Sequence, residues 1–308
     1  MDRRNFIQKG LAIVAASQLP DLGVFASATT KRSSKDLSPE KEGPLKLRFL
    51  GTGAADWSGM DERGELRRLS SVLLDDSVLI DFTKTAFDMV PEGVVPEAIF
   101  YTHSHPDHYN PGAALKVGVR RVYLGETWVE RGQKDFWEAA SALGMPLPEI
   151  IPLAVSDSVV ENGIRFTALP ANHATEDLGE QTLLYLVEKR NNRLLYATDT
   201  GGIPSIAARL SGIDAHIQGK PITALIMEAT MGLGYDEDYR LFTHSSVSTV
   251  LRTWKVLSQT GRYAPTEGQP VWLTHLARTL HGTQAELDVT LPPPLKAAYD
   301  GLTIILDA

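Results

Sequence analysis

His103, His105, Asp107 and His108 fall within six positions, at the end of the apolar run Ala98-Ile99-Phe100-Tyr101. Imidazole nitrogens and carboxylate oxygens suit zinc and similar divalent cations, which take three to four such donors per ion. A strand that delivers these side chains into the loop after it lets alternate positions converge on one point. One short segment cannot serve two ions. Three further candidates each follow an apolar run: His173 after Leu169-Pro170, Asp199 after Leu194 to Thr198, and His275 after Val271 to Thr274. Donors at the tips of several strands, opening on one edge of a sandwich, form a cage that no single stretch supplies. His216, beside Asp214, reads as a surface residue without a role.

The elements that carry these residues can be read from the pattern around them. Runs at Leu47 to Leu50, Ser71 to Leu74, Val78 to Phe82, Ala98 to Thr102, Arg121 to Leu124 and Ile164 to Leu169 are short and apolar and end at turn signals, as strands do. Two hairpins are predicted. One turns at Asp75-Asp76, and the other joins Leu183 to Glu188 with Leu194 to Thr198 through Asn191-Asn192. Helical spacing marks Thr127 to Leu143 and Ser246 to Leu257. Strands dominate each half with helices interspersed, which fits a sheet-on-sheet core with helices outside.

The 308 residues are 43% hydrophobic and 22% charged, enough to bury a large core. The formal charge of -8 repels polyanions, so a nucleic-acid polymer is not expected as a partner. There is no cysteine, which excludes disulfides, thiolate ligands and a thiol nucleophile. Any metal must be held by nitrogen and oxygen.

The first residues, Met-Asp-Arg-Arg-Asn-Phe-Ile-Gln-Lys, precede a short run of apolar and small residues and then Ala26-Ser27-Ala28. A charged start, an apolar stretch and an A-x-A ending make a secretory leader, with an ordinary amphipathic helix as the alternative. Arg3 and Arg4, followed by Phe6 and Ile7, resemble the twin-arginine type, which exports folded proteins. The expected plan is a signal peptide over 1–28, a flexible linker over 29–44 and a hydrolase domain over 45–308. The export machinery is then a partner, and the product is periplasmic or secreted. The apolar run falls short of the roughly 20 residues a bilayer requires, so no stable membrane anchor is expected.

The HxHxDH segment at His103 to His108, followed in order by His173, Asp199 and His275, resembles the signature of the metallo-β-lactamase superfamily. The resemblance runs from Leu45 to Ala308. It implies an α/β fold, an αββα sandwich of two mixed β-sheets with helices on the outer faces. It also implies two metal ions: His103, His105 and His173 on the first, Asp107, His108 and His275 on the second, and Asp199 bridging them. Asp81 would stand behind the site and orient ligand histidines by hydrogen bonding.

Within the superfamily, several segments resemble a phosphodiesterase branch that includes the tRNA 3'-processing nucleases and the phosphonate-pathway cyclic phosphodiesterase. They are Leu47 to Gly53, Thr198-Asp199-Thr200-Gly201-Gly202, Ile226-Met227-Glu228-Ala229, Thr243-His244-Ser245-Ser246, Leu273-Thr274-His275-Leu276 and Tyr299 to Ile304. Two departures stand out. No cysteine-containing metal site lies in Ala54 to Leu69, and Tyr109-Asn110-Pro111 follows His108 where the family often has an early glycine.

The chemistry implied is hydrolysis of a small-molecule substrate, a small or cyclic phosphodiester, by a hydroxide shared between two cations. Asp107 would orient that hydroxide, and His244 would assist the leaving group unless it is simply a helix-start histidine bonded to backbone. His281 reads as an orienting residue, a surface residue or a phosphate contact. Arg67 and Arg68 read as solvated surface or a phosphate contact, and neither is placed in the site. Zinc is the first choice for a histidine-rich set, with manganese or iron fitting the same ligands. The rival readings are a lactonase or β-lactamase-like carbonyl hydrolase, and a non-catalytic metal-binding module. An oligomer is compatible with all of them.

Overall fold

The computed structural model describes residues 43–214, 216 and 219–308. The leader and nearly all of the linker predicted from the sequence lie outside the described residues. One sheet contains β1 (Leu45–Gly51), β2 (Ser71–Leu74), β3 (Val78–Ile80), β4 (Ala98–Phe100), β5 (Arg121–Gly125) and β6 (Glu149–Leu153). The other contains β7 (Ser158–Glu161), β8 (Ile164–Pro170), β9 (Leu183–Lys189), β10 (Asn192–Ala197), β11 (Ala224–Glu228), β12 (Val271–Thr274) and β13 (Leu295–Ala297). The last strand, β14 (Thr303–Leu306), returns to pair with β1, giving the orders β14-β1-β2-β3-β4-β5-β6 and β13-β12-β11-β10-β9-β8-β7.

Alternation along the central strands explains why two sheets must stack and why helices must cover both outsides. In β10, Leu194 and Tyr196 face the core between the sheets, whereas Leu195 and Ala197 pack outward. Phe100 of β4 points inward, stacked on Phe166 at 4.0 Å and on Tyr123 at 4.2 Å between ring centroids. Its neighbours Ile99 and Tyr101 point outward. A strand apolar on both faces has no stable exposed side. Helices α1 (Pro111–Val117) and α2 (Val129–Leu143) cover the first sheet, with Ala113, Ala114, Phe136 and Ala140 in the outer core. Over the second sheet lie α3 (Ser205–Leu210), α4 (Val247–Gln259) and α5 (Gln284–Thr290), which contribute Ala207, Val250 and Leu287. The αββα sandwich expected from the sequence is the fold observed.

Several boundaries differ from the sequence reading for local reasons. Strands β3 and β4 stop two residues earlier than predicted, and Asp81, next after β3, adopts a positive φ of 54° that ends the extended run. The first hairpin turns at Asp75-Asp76, both left-handed as expected. The second is shifted by one residue: Lys189 pairs with Asn192, so the turn is Arg190-Asn191, with Arg190 at φ 55°. Ser246, the first residue of the predicted helix, instead precedes α4 and caps it, its side chain accepting from Thr249 N. In the closing segment Tyr299 to Ile304, Tyr299 to Leu302 forms a turn and only Thr303 onward is extended.

Strands β3 to β6 are mutually parallel, and so are β10 to β13. Loops at the carboxyl ends of parallel strands are where such sheets bind ligands. Those loops carry Asp81 after β3, His103 after β4, Asp199 after β10 and His275 after β12. Among the described residues no helix is long and apolar enough to cross a membrane.

Candidate metal centre

Six of the eight histidines meet at this edge. Donor atoms of His103, His105 and His173 lie within 4.8 Å of one another, as do those of Asp107, His108 and His275. Asp199 stands between the two groups. Its Oδ2 is 2.8 Å from His108 Nε2 and 3.2 Å from His103 Nε2, and its Oδ1 is 3.1 Å from His275 Nε2. Asp107 Oδ2 lies 3.3 Å from His108 Nε2 and 3.4 Å from His275 Nε2. The seven side chains singled out as ligands, spread from position 103 to 275, converge on one centre.

The hydrogen bonds behind the ligands decide which nitrogen of each ring is free. Thr102 Oγ1 donates to Asp81 Oδ2 at 2.8 Å and therefore accepts from His103 Nδ1 at 2.9 Å. His108 Nδ1 donates to Asp81 at 2.8 Å, His173 Nδ1 to the Thr243 carbonyl at 3.1 Å, and His275 Nδ1 to Thr230 Oγ1 at 2.8 Å. Each ring thus aims Nε2 inward, and in the neutral imidazole that nitrogen is the unprotonated acceptor. His105 is reversed: its Nε2 faces Glu176 at 3.4 Å, and its Nδ1 meets His103 Nε2 at 3.0 Å and His173 Nε2 at 3.2 Å. With the His105 proton on Nε2, three unprotonated nitrogens turn on one another and repel unless a cation sits among them. Tetrahedral bonds of about 2.05 Å space neighbouring nitrogens by roughly 3.3 Å, close to what the rings adopt.

The charges point the same way. Burial pushes the His103 imidazolium far below its ordinary value, so this ligand stays neutral and needs to release no proton to bind metal. Burial works against the carboxylates of Asp107 and Asp199, yet the surrounding histidines hold both well below the usual carboxylate range. Burial also disfavours charge on His108, but Asp199, Asp107 and Asp81 together push it well above its usual value. The negative charge that keeps a proton on His108 attracts a divalent cation more strongly still. His108 Nε2 and Asp199 Oδ1 are buried without a hydrogen-bond partner, as ligand atoms would be. The donor set fits a dinuclear metal site.

Backbone strain marks the same residues. Asp81, Asp199 and His275 have φ of 54°, 51° and 53°, a left-handed conformation that costs a non-glycine residue on the order of 1–3 kcal/mol. All three sit where a strand delivers a side chain into the site. Gly53 makes that approach feasible beside His275: it bridges to both Leu69 and Leu276, and a Cβ there would lie 2.6 Å from the Trp57 ring.

Residues 81–275 match the model of a family described as the beta-lactamase superfamily domain, a span that opens on Asp81 and closes on His275. The chain belongs to the beta-lactamase superfamily. No curated protein matches it by sequence. Among solved structures, a diphosphatase from the PhnP family is 19% identical with a TM-score of 0.60, covering 86% of this chain and 99% of that one. The short form of human tRNase Z is 16% identical at TM-score 0.61, covering 85% and 100%. Unliganded yeast PDE1 is 11% identical at TM-score 0.58, covering 86% and 100%. At such identities the likeness is one of fold. The superfamily fold together with a dinuclear metal-binding cluster makes the protein a metal-dependent hydrolase.

Some residues that shape this superfamily site were not singled out by sequence reasoning. Glu228, fully buried at the end of β11, accepts from His244 Nδ1 at 3.0 Å and from Thr230 Oγ1 at 2.5 Å. Thr230 in turn serves both His244 and His275. The signal available was a glutamate closing an apolar strand, a position that costs stability unless it is paired. Glu180, whose carboxylate is fully buried, accepts from Ser104 N at 2.8 Å, Ser104 Oγ at 2.6 Å and Arg131 at 2.5 Å, clamping the residue between His103 and His105. Nothing in its local sequence marks it.

The remaining candidates resolve plainly. His244 is not bonded to backbone through its ring. It faces Glu228 and lies 3.8 Å from Asp199. His281 is buried, with Nε2 donating to the Ala229 carbonyl at 2.6 Å, so it braces the strand end that holds Glu228. Burial lowers its pKa to about 4. Arg67 corrects the solvated-surface reading: it is buried and ties Thr52, the Ala298 carbonyl and Gln284 together at 2.7 to 2.8 Å. Arg68 pairs with Asp88 and Asp300. His216 is exposed and away from the cluster.

Proposed function

We propose that the protein is a phosphodiesterase acting on small or cyclic phosphodiesters, with His103, His105 and His173 holding one ion, Asp107, His108 and His275 the other, and Asp199 shared. Zinc is the expected metal, with manganese or iron compatible. When bound, such cations supply a nucleophile from water at neutral pH and charge to neutralise the transition state. Asp107, ionised and turned toward the centre, accepts a hydrogen bond from the attacking water and orients it.

The observation that carries the reading is the His244–Glu228 pair. Burial disfavours the His244 imidazolium, but the adjacent Glu228 carboxylate, by charge and hydrogen bond, and then Asp199 push its pKa up to about 9. His244 Nδ1 is engaged with Glu228, which leaves Nε2–H as a donor for the departing oxygen. A phosphoryl transition state builds up more negative charge than a carbonyl one, and an imidazolium beside two cations answers that charge.

On metal-loaded protein, bis(p-nitrophenyl) phosphate is expected to turn over faster than lactones or nitrocefin. Turnover of the latter two alone would reject the phosphodiester assignment. Because the donor form of His244 exists below its pKa, kcat/KM is expected to fall as pH rises toward 9, and bound cations move that limb lower. Glu228→Gln withdraws the charge that raises the pKa and should shift the limb down further. An unmoved limb would remove His244 from this role.

We also propose that residues 1–28 direct twin-arginine export and that the hydrolase acts in the periplasm or is secreted. Arg3-Arg4, the short apolar stretch and Ala26-Ser27-Ala28 support this. Replacing both arginines by lysine is expected to keep the full-length chain in the cytoplasm. Export of that variant at the parent level would dismiss the assignment.

A further inference from the structure

Large apolar side chains that face water are ordinarily scattered singly over a protein surface. Here Leu233, Tyr235, Tyr239, Leu241 and Phe242 crowd into ten consecutive positions between β11 and α4, with exposures of 46, 42, 77, 44 and 78%. This stretch is anchored to the metal centre at its two ends. Glu228 and Thr230 precede it, and it ends at Thr243, whose carbonyl holds His173, and at His244. At its C-terminal end, its backbone lies against Gly201, two residues after Asp199. A Cβ at Gly201 would meet the Leu241 carbonyl oxygen at 3.0 Å and the Phe242 carbonyl carbon at 3.1 Å.

The stretch is also built rather than slack. Asp238 accepts from Arg240 N at 2.9 Å, capping a short turn of 3-10 helix, and binds the Arg240 guanidinium at 2.9 Å. That guanidinium lies 4.8 Å from the centroid of the Tyr239 ring. Its charged residues are Asp236, Glu237, Asp238 and the paired Arg240. The loop that follows His173, with Glu176 facing His105 and Asp177 beside it, is acidic too and carries Leu178, 92% exposed. An acidic border repels polyanions, and an apolar one gains by covering a hydrophobic group.

We infer that residues 233–242 form a substrate-selecting lip, so that the centre takes a monoanionic phosphodiester carrying an aromatic or similarly flat apolar substituent in preference to compact or polyanionic esters. The phosphodiester part rests on the function proposed above, whereas the apolar preference rests on the lip alone. Two measurements on metal-loaded protein separate them. Calorimetric binding of diphenyl phosphate against dimethyl phosphate, equal in charge, reads the lip. Turnover of phenyl against methyl p-nitrophenyl phosphate, equal in leaving group, reads the reaction.

Diphenyl phosphate is expected to bind on the order of tenfold more tightly, the scale of one well-filled apolar subsite. The phenyl ester should lead in kcat/KM by a similar factor. Tyr239→Ala with Phe242→Ala, both at exposed positions, should cut the binding ratio at least threefold. Equal binding of the two diesters overturns the inference, and so does a ratio unchanged in the double variant. A lip that serves another protein or a membrane gives the same equal binding. Preferential binding of diphenyl phosphate with neither ester cleaved upholds the lip and rejects only the phosphodiesterase reading.

Discussion

An Asp199→Ala variant is expected to hold at most one metal equivalent and to lose on the order of 10³-fold or more in kcat/KM on bis(p-nitrophenyl) phosphate. Among the described residues, Asp199 is the only side chain whose two oxygens face both halves of the ligand set, with Oδ2 toward His103 and His108 and Oδ1 toward His275. Its removal takes a negative charge from the space between two cations, which then repel each other without a common counter-charge. Of the first group, His103 and His173 have their hydrogen-bonded supports elsewhere, in Thr102 and the Thr243 carbonyl, and His105 faces Glu176, so that half should survive. Metal analysis of the purified variant checks the count, and calorimetric titration of the stripped protein checks the affinity. Two equivalents at parental affinity would show that Asp199 is not shared.

The same variant bears on acid sensitivity. The Asp199 carboxylate is held well below the ordinary carboxylate range, after the opposing effect of burial, by His108, His275 and His103. A group whose folded pKa is depressed contributes stability above its unfolded pKa and loses it as pH falls toward the folded one. The metal-free parent should therefore lose stability on acidification through and below the normal carboxylate range. Asp199→Ala should lose less over that window.

What could be read without a structure divides along physical lines. His103, His105, Asp107 and His108 are adjacent in the chain, so spacing alone raises their metal-binding chemistry. His173, Asp199 and His275 were legible because each closes an apolar strand, and parallel strands deliver their ends to a common edge. Glu228 and Glu180 were not legible, since a buried carboxylate is stable only through partners remote in sequence. Glu180 finds Ser104 and Arg131, which lie 76 and 49 positions away. Arg67 shows the converse. An arginine pair reads as surface, and only packing against the Ala298 carbonyl 231 positions away makes it interior. Turn registers were near the limit too. The sequence puts the second hairpin one residue late because Asn191-Asn192 tolerates positive φ, whereas the pairing of Lys189 with Asn192 puts Arg190 in that conformation.

The largest effect outside the ligands is expected at Asp81, where two substitutions should separate folding from ligand orientation. Its carboxylate is fully buried and accepts from Thr102 N, Thr102 Oγ1 and His108 Nδ1, each at 2.8 Å. Asp81→Ala strands all three donors in a dry interior, and breaking a buried charged pair by deleting one partner costs about 3–5 kcal/mol. A chemical-denaturation midpoint well below the parent is the expected readout. Asp81→Asn keeps the shape, and asparagine tolerates the left-handed backbone at φ 54°. Its amide, however, can offer N–H toward His108 Nδ1. That ring would then carry its proton on Nε2, the nitrogen needed for metal. The asparagine variant should unfold near the parent midpoint yet bind the second metal about 10- to 100-fold more weakly, the usual scale for losing a group that orients a ligand. Parental metal affinity in Asp81→Asn would reduce Asp81 to a folding residue, whereas weak binding with an intact fold shows that it sets which nitrogen of His108 faces the metal.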